Sequence, residues 1–193
     1  VRGSLLKILH TSDWHLGCTM RGRYGSEEHG AVLDEIVGVA TDNQVDLTIV
    51  AGDVFDSGSP VAASDEIVWS TLLGLAEVSP VVVVAGNHDS PHRLDAVAPL
   101  LAMGRITALG SPMGPDRGGL VRIGDASVAL LPFLSQRSIV KAEDIMGSDP
   151  DQNAGLYEER MRRVVARLTE GMTVDTVNIL VGHLTVVGAQ TGG

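Results

Sequence analysis

Cysteine is almost absent from the sequence, and this limits the kinds of site that the chain can form. Cys18 is the only cysteine among the 193 residues, so no disulfide can form within the chain. Zinc fingers and iron–sulfur clusters draw on several thiolates and are excluded as well. A sequence without a disulfide framework is typical of a reducing compartment, and we expect a cytoplasmic protein.

Long apolar runs and aromatic residues are also scarce. No segment reaches the roughly 20 apolar residues that a transmembrane helix needs, and the first four residues lack the apolar region of a signal peptide. Hydrophobic residues make up 44% of the chain but aromatic residues only 3%. The core must therefore be built from Val, Leu, Ile and Ala. The length suits one sizeable domain.

Basic residues are fewer than acidic residues. The chain has 14 Lys and Arg residues against 24 Asp and Glu residues, which gives a formal net charge of -10. No contiguous basic stripe is visible, which argues against the binding of polyanions over the whole surface. A site that meets a polyanion through bound metal ions remains compatible with this charge, because such ions can dominate the local field.

Apolar, β-branched runs alternate with segments of helical periodicity. Ser26 has the character of a helix N-cap, and Pro60 lies near the first turn of the second predicted helix. The predicted strands are 5–10, 45–51, 81–85, 106–109, 120–123, 127–133 and a buried strand at 177–181, and the predicted helices are 26–40, 60–78, 94–103 and 156–169. This order predicts a layered α/β fold of sheets and helices.

Polar clusters begin where four of these strands stop. Ligand sites in α/β sheets gather at the carboxyl ends of strands, so we expect the clusters to converge. Gly52 and Gly86 each precede a candidate ligand, where the chain needs an unusual dihedral angle or a close backbone approach. The candidates are Asp13 and His15 after the first strand, Asp53 and Asp56 after the second, Asn87, His88 and Asp89 after the third, and His183 after the last.

The residue types at these positions predict a metal site. Carboxylate and imidazole groups together suit Mn, Fe, Zn or Co better than Ca. An extended backbone would let the side chains of Asp13 and His15 point the same way. A single Asp after a strand is more often a turn residue or helix cap, and a single histidine such as His183 is more often structural. The joint occurrence at four strand ends favours the metal site.

The motifs at these positions resemble those of the calcineurin-like metallophosphoesterases, which run Asp-x-His, Gly-Asp-x-x-Asp, Gly-Asn-His-Asp/Glu, Gly-His and Gly-x-His. The blocks that carry the resemblance are residues 8–17, 51–60, 86–90 and 182–189. A more specific likeness links these blocks to the nuclease components that process double-strand breaks in bacteria. The resemblance implies mixed β-sheets that pack face to face and are flanked by helices.

The resemblance also implies a role for each motif residue. The implied metal ligands are Asp13 and His15 for one divalent ion, Asn87 and His183 for the other, and Asp53 as the bridge between them, with Mn²⁺ as the expected metal. His88 would be the catalytic residue, lying beside the phosphate and assisting the leaving oxygen. Asp89 would orient its neighbours, and Asp56 either does the same or stabilises the turn. Outside the motifs, His10 and His29 are interpreted as structural. His92 and Arg93 could approach the substrate, but a solvated loop is favoured.

One motif of the family is not found in the sequence. The last motif, Gly-x-His, supplies a histidine to each metal in the family and does not occur after His183. We therefore expect residues 1–193 to form a metallophosphoesterase domain that is incomplete at its C-terminal end and lacks a DNA-capping region.

The family resemblance implies an activity and partners as well. The expected activity is metal-dependent DNA cleavage, as a 3′→5′ exonuclease on double strands and an endonuclease on single strands. The expected partners are DNA, a second copy of the chain and an SMC-family ATPase, with no membrane. Two alternatives stay open: a phosphatase or phosphodiesterase that uses the same site on small molecules, and an inactive scaffold that binds without cleaving.

Overall fold

The computed structural model describes residues 5–20, 23–24, 26–135, 138–139 and 157–184. In chain order its strands and helices are β1 (Ile8–Thr11), β2 (Thr19–Met20), β3 (Arg23–Tyr24), α1 (Ser26–Asn43), β4 (Leu47–Ala51), α2 (Ala62–Val78), β5 (Val81–Val84), α3 (Pro91–Ala102), β6 (Ile106–Leu109), a 3-10 turn (Pro115–Arg117), β7 (Leu120–Ile123), β8 (Ala126–Leu131), α4 (Tyr157–Thr169) and β9 (Val177–Gly182). No helix in these ranges is both long enough and apolar enough to cross a bilayer.

The first sheet consists of four parallel strands in the order β1-β4-β5-β6. All four residues of β5 are buried valines, as expected for a strand covered on both faces. The helices α1, α2 and α3 lie in turn between successive strands of this sheet, because parallel neighbours need a crossover connection. The carboxyl ends of β1, β4 and β5 therefore lie side by side.

The core is arranged in layers. Val81 and Val83 pack in a cluster with residues of the helices, whereas Val82 and Val84 pack in a cluster with the second sheet, since alternate side chains of a strand point to opposite faces. The second sheet has the order β7-β8-β9, with β8 antiparallel to β7 and parallel to β9. Residues of α4 pack against β8. The expected α/β fold, with mixed sheets packed face to face and flanked by helices, is confirmed.

A backbone hydrogen bond joins the ends of the two sheets. The strand β8 ends at Leu131, two residues before the predicted end, because Pro132 has no N–H to donate to the ladder. The next residue, Phe133, donates its N–H to the carbonyl of Ala85 at 2.8 Å. The segment after β8 is thereby held over the carboxyl end of β5, where polar clusters were predicted.

Some predicted boundaries differ from the observed ones. The helix α3 begins at Pro91, three residues before the predicted start, because proline has no N–H to lose in the first turn of a helix. The helix α2 begins at Ala62 after Val61 as N-cap, two residues later than predicted. Ser26, predicted as an N-cap, is the first residue of α1.

The prediction that β9 is a buried strand is wrong. Val177 and Leu180 are 45% and 43% exposed. Within the described residues β9 pairs only with β8 and forms an edge of the second sheet, so one side of the strand has no strand neighbour there. β9 contacts β4, and the carboxyl end of β9 places Gly182 and His183 beside that strand.

Candidate metal centre

Side chains from the four predicted clusters meet at one place. Asp13, Asp53 and His183 each offer a ligand atom, and these three atoms lie within 4.8 Å of one another. His15, Asp56 and His88 form a second group of the same kind. The loops after β1, β4, β5 and β9 all contribute. Residues that are remote in the sequence, such as Asp13 and His183, are thus close enough to hold metal ions.

Asp53 lies between the two groups. Its side chain is almost fully buried, with the residue 3% exposed. One carboxylate oxygen, Oδ1, accepts the backbone N–H of His88 at 2.8 Å. The other, Oδ2, lies 3.3 Å from Nε2 of His183 and 3.7 Å from Nε2 of His15. No Lys or Arg among the described residues pairs with this carboxylate, so a buried negative charge lacks a permanent cationic partner, which is costly without a metal ion.

The ring of His183 directs the lone pair of its Nε2 atom towards Oδ2 of Asp53. Its Nδ1 lies 2.9 Å from the carbonyl oxygen of Ala51. Because a carbonyl oxygen only accepts, Nδ1 carries the proton and a neutral ring leaves Nε2 as an acceptor. This Nε2 faces Oδ2 of Asp53 at 3.3 Å and Oδ1 of Asn87 at 3.2 Å. Acceptors that converge in this way fit a cation between them, and a hydrogen-bonded Nδ1 is the usual arrangement for a histidine ligand.

His15 is the second histidine that faces Asp53. Its Nε2 also lies 3.9 Å from Oδ1 of Asp13. Its Nδ1 is buried and has no hydrogen-bond partner in the described part of the chain, and Oδ1 of Asp56 is 3.4 Å away. The donor set of carboxylate oxygens and imidazole nitrogens fits a divalent metal ion of the Mn, Fe or Zn type.

The backbone at the centre adopts an unusual conformation. Asp13, His15 and Asp53 have φ angles of 57°, 47° and 51°, in the left-handed region that residues other than glycine seldom occupy. The expectation of an extended Asp13–His15 segment is therefore wrong. Each such residue costs about 1–3 kcal/mol and persists only where the surroundings impose it, which is typical of functional sites.

Backbone hydrogen bonds impose this conformation. The N–H groups of Asp13, His15 and Leu16 donate to the carbonyl oxygens of Gly52, Asp53 and Val54, each at 3.0 Å. The N–H of Asp56 donates in return to the carbonyl of Leu16 at 3.1 Å. The loop after β1 is thus bonded along its length to the loop after β4, and this pairing brings the side chains of Asp13 and His15 towards Asp53.

Gly52 and Gly86, where the sequence predicted that the backbone needs glycine, are closely surrounded by other atoms. Gly52 has a φ angle of 91°, and a Cβ atom there would lie 2.7 Å from Nδ1 of His183. A Cβ atom on Gly86 would lie 2.1 Å from Oδ1 of Asp53 and 2.3 Å from its backbone nitrogen. Both positions exclude larger residues because the chain passes directly against candidate ligands.

Asp89 connects the loops after β4 and β5. Its carboxylate accepts the N–H of Gly86 at 2.8 Å, of Phe55 at 2.9 Å and of Val54 at 3.3 Å. It belongs to neither group that could hold a metal ion. Its contacts fit the orienting role that the resemblance implies, exerted here through the backbone.

His88 lies at the exposed side of the centre. Its Nδ1 lies 2.9 Å from the carbonyl of Asp56 and donates to it, and its ring packs edge-on against His15 with ring centroids 4.9 Å apart. The hydrogen bond to Asp56 raises the pKa of His88 above its usual value, the carboxylates of Asp53, Asp56 and Asp89 act in the same direction, and desolvation opposes them. A protonated ring would have Nε2 available as a donor.

One interpretation of residues outside the motifs is wrong. His92 and Arg93 belong to the first turn of α3, not to a solvated loop. Arg93 forms an ion pair with Asp65 of α2 and lies over the ring of Phe55, 5.7 Å from its centroid. His10, interpreted as structural, is exposed and lines the cleft at the metal centre. A histidine within the short apolar run of β1 was the signal available in the sequence.

Comparison with known proteins agrees with this geometry. The family model of calcineurin-like phosphoesterases matches residues 6–184. Similar proteins named as the D component of the nuclease SbcCD include those of Bacillus subtilis (strain 168) and Escherichia coli (strain K12), each 32% identical over 96% of this chain and 48% of the relative. That of Rhodobacter capsulatus is 34% identical over 69% of this chain and 36% of the relative.

The chain spans about half the length of the first two of these relatives, and about a third of the last. The match to the family model, in contrast, extends over nearly the whole chain and includes all of the clustered residues at the metal centre. The family expected from the motifs is confirmed, and the chain belongs to the calcineurin-like phosphoesterases.

Proposed function

We propose that the protein is a metal-dependent DNA nuclease. The observation that supports this most strongly is Asp53, a buried carboxylate between two groups of ligand side chains with no Lys or Arg partner in the described residues. Such a centre suits hydrolysis of a phosphodiester, because cations placed there can face the negative phosphate in a chain whose net charge is -10. The similar proteins are named as parts of a nuclease.

Each candidate ligand has a place in this proposal. Asp13 and His15 would hold one ion, Asn87 and His183 the other, and Asp53 would contact both. The distances from Oδ2 of Asp53 to the Nε2 atoms of His183 and His15, 3.3 and 3.7 Å, support this division. Two divalent ions, which we expect to be Mn²⁺, would activate water and neutralise charge that develops on the phosphate.

The protein's own residues supply the remaining chemistry. His88, held by the carbonyl of Asp56, donates a proton from Nε2 to the departing oxygen, a role worth about 10²–10⁴ in rate. Asp89 keeps the backbone of Gly86, Val54 and Phe55 in position, and thereby fixes the loops that carry Asp53 and Asn87.

The names of the similar proteins support a nuclease that works as one component of a complex, and the family resemblance of the motifs suggests its substrate and partners. We propose cleavage of DNA as a 3′→5′ exonuclease on double strands and as an endonuclease on single strands, in the processing of DNA breaks and hairpins in the cytoplasm. The proteins it resembles are named as one component of the SbcCD nuclease. We accordingly propose an SbcC-like SMC-family ATPase as partner, and a homodimer of the chain.

A comparison of two substrates tests the proposal. The protein that carries these residues should cleave a DNA oligonucleotide in Mn²⁺ with a higher kcat/KM than it cleaves bis(p-nitrophenyl) phosphate, and a chelator should abolish both reactions. Preference for the small diester would favour a small-molecule phosphodiesterase. Tight Mn²⁺ binding without cleavage of either substrate would favour an inactive scaffold.

A further inference from the structure

The cleft at the metal centre is larger than the ligand cluster itself. It has a volume of about 350 Å³. Its walls contain Asp13, Asn87 and His183, but also side chains that no metal ligand role uses, namely His10, Ser12, Phe133 and Leu184. The cleft therefore has room for more of a substrate than the phosphate that is cleaved.

His10 occupies a distinctive position in this cleft. It belongs to β1, the outer strand of the first sheet. Leu9 packs in the cluster on the helix side of the sheet, so His10 lies on the opposite face, towards the second sheet. Its cross-strand neighbour Ile49 is buried between the sheets, whereas His10 is exposed. At β1 the second sheet no longer covers this face, and the imidazole is open to the cleft.

The imidazole of His10 is available to a ligand. Neither of its nitrogens takes part in a hydrogen bond or ion pair with any residue that the structure describes. It also belongs to neither group of side chains that could hold a metal ion. Because the ring is exposed, its nitrogens can exchange water for a hydrogen bond to a ligand.

The distance from the metal ligands suits a second phosphate. Two residues lie between His10 and Asp13, so their Cα atoms are at most about 11 Å apart. Duplex DNA presents one phosphate per strand about every 3.4 Å along its axis. A strand whose cleaved phosphate lies at Asp13 therefore has another phosphate within reach of His10. Of the other cleft side chains that hold no metal in the proposal, Phe133 and Leu184 are apolar and offer no donor to it, whereas Ser12 carries a hydroxyl.

We propose that His10 is a substrate-positioning residue, which donates a hydrogen bond from its ring N–H to a DNA phosphate next to the one being cleaved. The inference rests on the proposed nuclease function and adds to it a basis for preferring polynucleotides over small phosphodiesters. A neutral imidazole is sufficient, since either tautomer carries one N–H donor.

Equilibrium binding separates this role from catalysis. With Mn²⁺ present, calorimetry would compare a trinucleotide that has phosphorothioate linkages with thymidine 5′-monophosphate, which has a single phosphate. We expect His10→Ala to weaken binding of the trinucleotide about 10-fold and to leave binding of the monophosphate and of Mn²⁺ unchanged. His10→Gln, which keeps an N–H donor, should retain most of the affinity.

A second histidine provides the matched control. His92 is exposed and does not line the cleft, so His92→Ala should bind both nucleotides normally. Unchanged trinucleotide binding by His10→Ala would overturn the role of His10 alone. An equal loss for both nucleotides, or a loss of Mn²⁺ affinity, would overturn it as well, by placing His10 at the cleaved phosphate or the metal. If the unsubstituted protein bound neither nucleotide, the proposed nuclease function would fail together with this inference.

Discussion

At the scale of single residues, the chemistry depends on which group holds metal and which group moves a proton. Asp53 and His88 are adjacent in space, since the N–H of His88 donates to Oδ1 of Asp53. Their surroundings nevertheless differ. Asp53 is buried among possible metal ligands, whereas His88 is exposed and uses Nδ1 for a hydrogen bond to the carbonyl of Asp56. The two residues should therefore respond differently to substitution.

Replacement of His88 tests its proposed role as proton donor. His88→Ala should leave Mn²⁺ affinity within a few-fold of normal and lower kcat for DNA by about 10²–10⁴. The Nδ1 hydrogen bond is the largest cause of the raised pKa of His88, so the protonated form extends to higher pH, and the unsubstituted enzyme should lose rate as pH rises through that pKa. If the variant kept a nearly normal kcat and showed the same loss of rate at alkaline pH as the unsubstituted enzyme, this role would be ruled out.

Gly86 is a residue at which the site has no space for a side chain. Gly86→Ala would force a Cβ atom to within 2.1 Å of Oδ1 of Asp53, and we expect a loss of about 1–3 kcal/mol in the free energy of unfolding together with weaker Mn²⁺ binding.

Gly38 offers a control, because Gly38→Ala makes the same substitution at a position with open space. It lies within α1, and a Cβ atom there would have no neighbour within 4 Å. Gly38→Ala should therefore raise the free energy of unfolding by about 0.5–1 kcal/mol, and leave metal binding unchanged. Urea denaturation measures both variants. Equal stability of the two proteins would show that Gly86 is not constrained by Asp53.

At the scale of elements, the site is held by loops that are bonded to one another rather than by the strands alone. The loop after β1 is bonded to the loop after β4 through backbone groups from Asp13 to Asp56. The loop after β4 is bonded to the loop after β5 through the carboxylate of Asp89. The strands bring these loops side by side, and the bonds between loops set the directions of the ligands.

Asp89 provides the test of this coupling between loops. Asp89→Ala would leave the N–H groups of Gly86, Phe55 and Val54 without their acceptor. We expect a loss of about 1–3 kcal/mol in the free energy of unfolding, and a decrease of about 10–100-fold in Mn²⁺ affinity, although Asp89 touches no metal in the proposal. Calorimetry and urea denaturation would measure the two effects. Normal Mn²⁺ affinity in a destabilised Asp89→Ala protein would contradict the coupling of the loops to the metal site.

The elements also show what local sequence can predict. β6 and β7 were predicted with their observed ends, because turn residues such as Gly110 and Gly124 bound them. The exposure of β9 was missed, since an apolar run has the same pattern at an edge as in the middle of a sheet. The left-handed conformation of Asp13 and His15 was also missed, because bonds to the distant segment of Gly52 and Asp53 impose it.

At the scale of the whole molecule, the layered fold converts a pattern of remote motifs into one centre. Convergence of the motifs after β1, β4 and β5 was predictable, because polar residues that follow neighbouring parallel strands lie at one edge of the sheet. His183 joins them from β9 of the second sheet. The open cleft beside His10 was not predictable, since it depends on where the second sheet stops covering the first. In an acidic chain with net charge -10, cations bound at this centre would supply the positive charge that attracts a polyanion.

Calorimetric titration of Mn²⁺ into the unsubstituted protein and into Asp53→Asn tests the central claim most directly. Asparagine keeps the size of the side chain and an oxygen that can accept the N–H of His88, so the fold should survive while the charge between the two groups is removed. We predict saturable Mn²⁺ binding by the unsubstituted protein and a loss of at least about 10-fold in affinity for Asp53→Asn, with cleavage of DNA lost in parallel. Equal Mn²⁺ affinity of the two proteins would contradict the account.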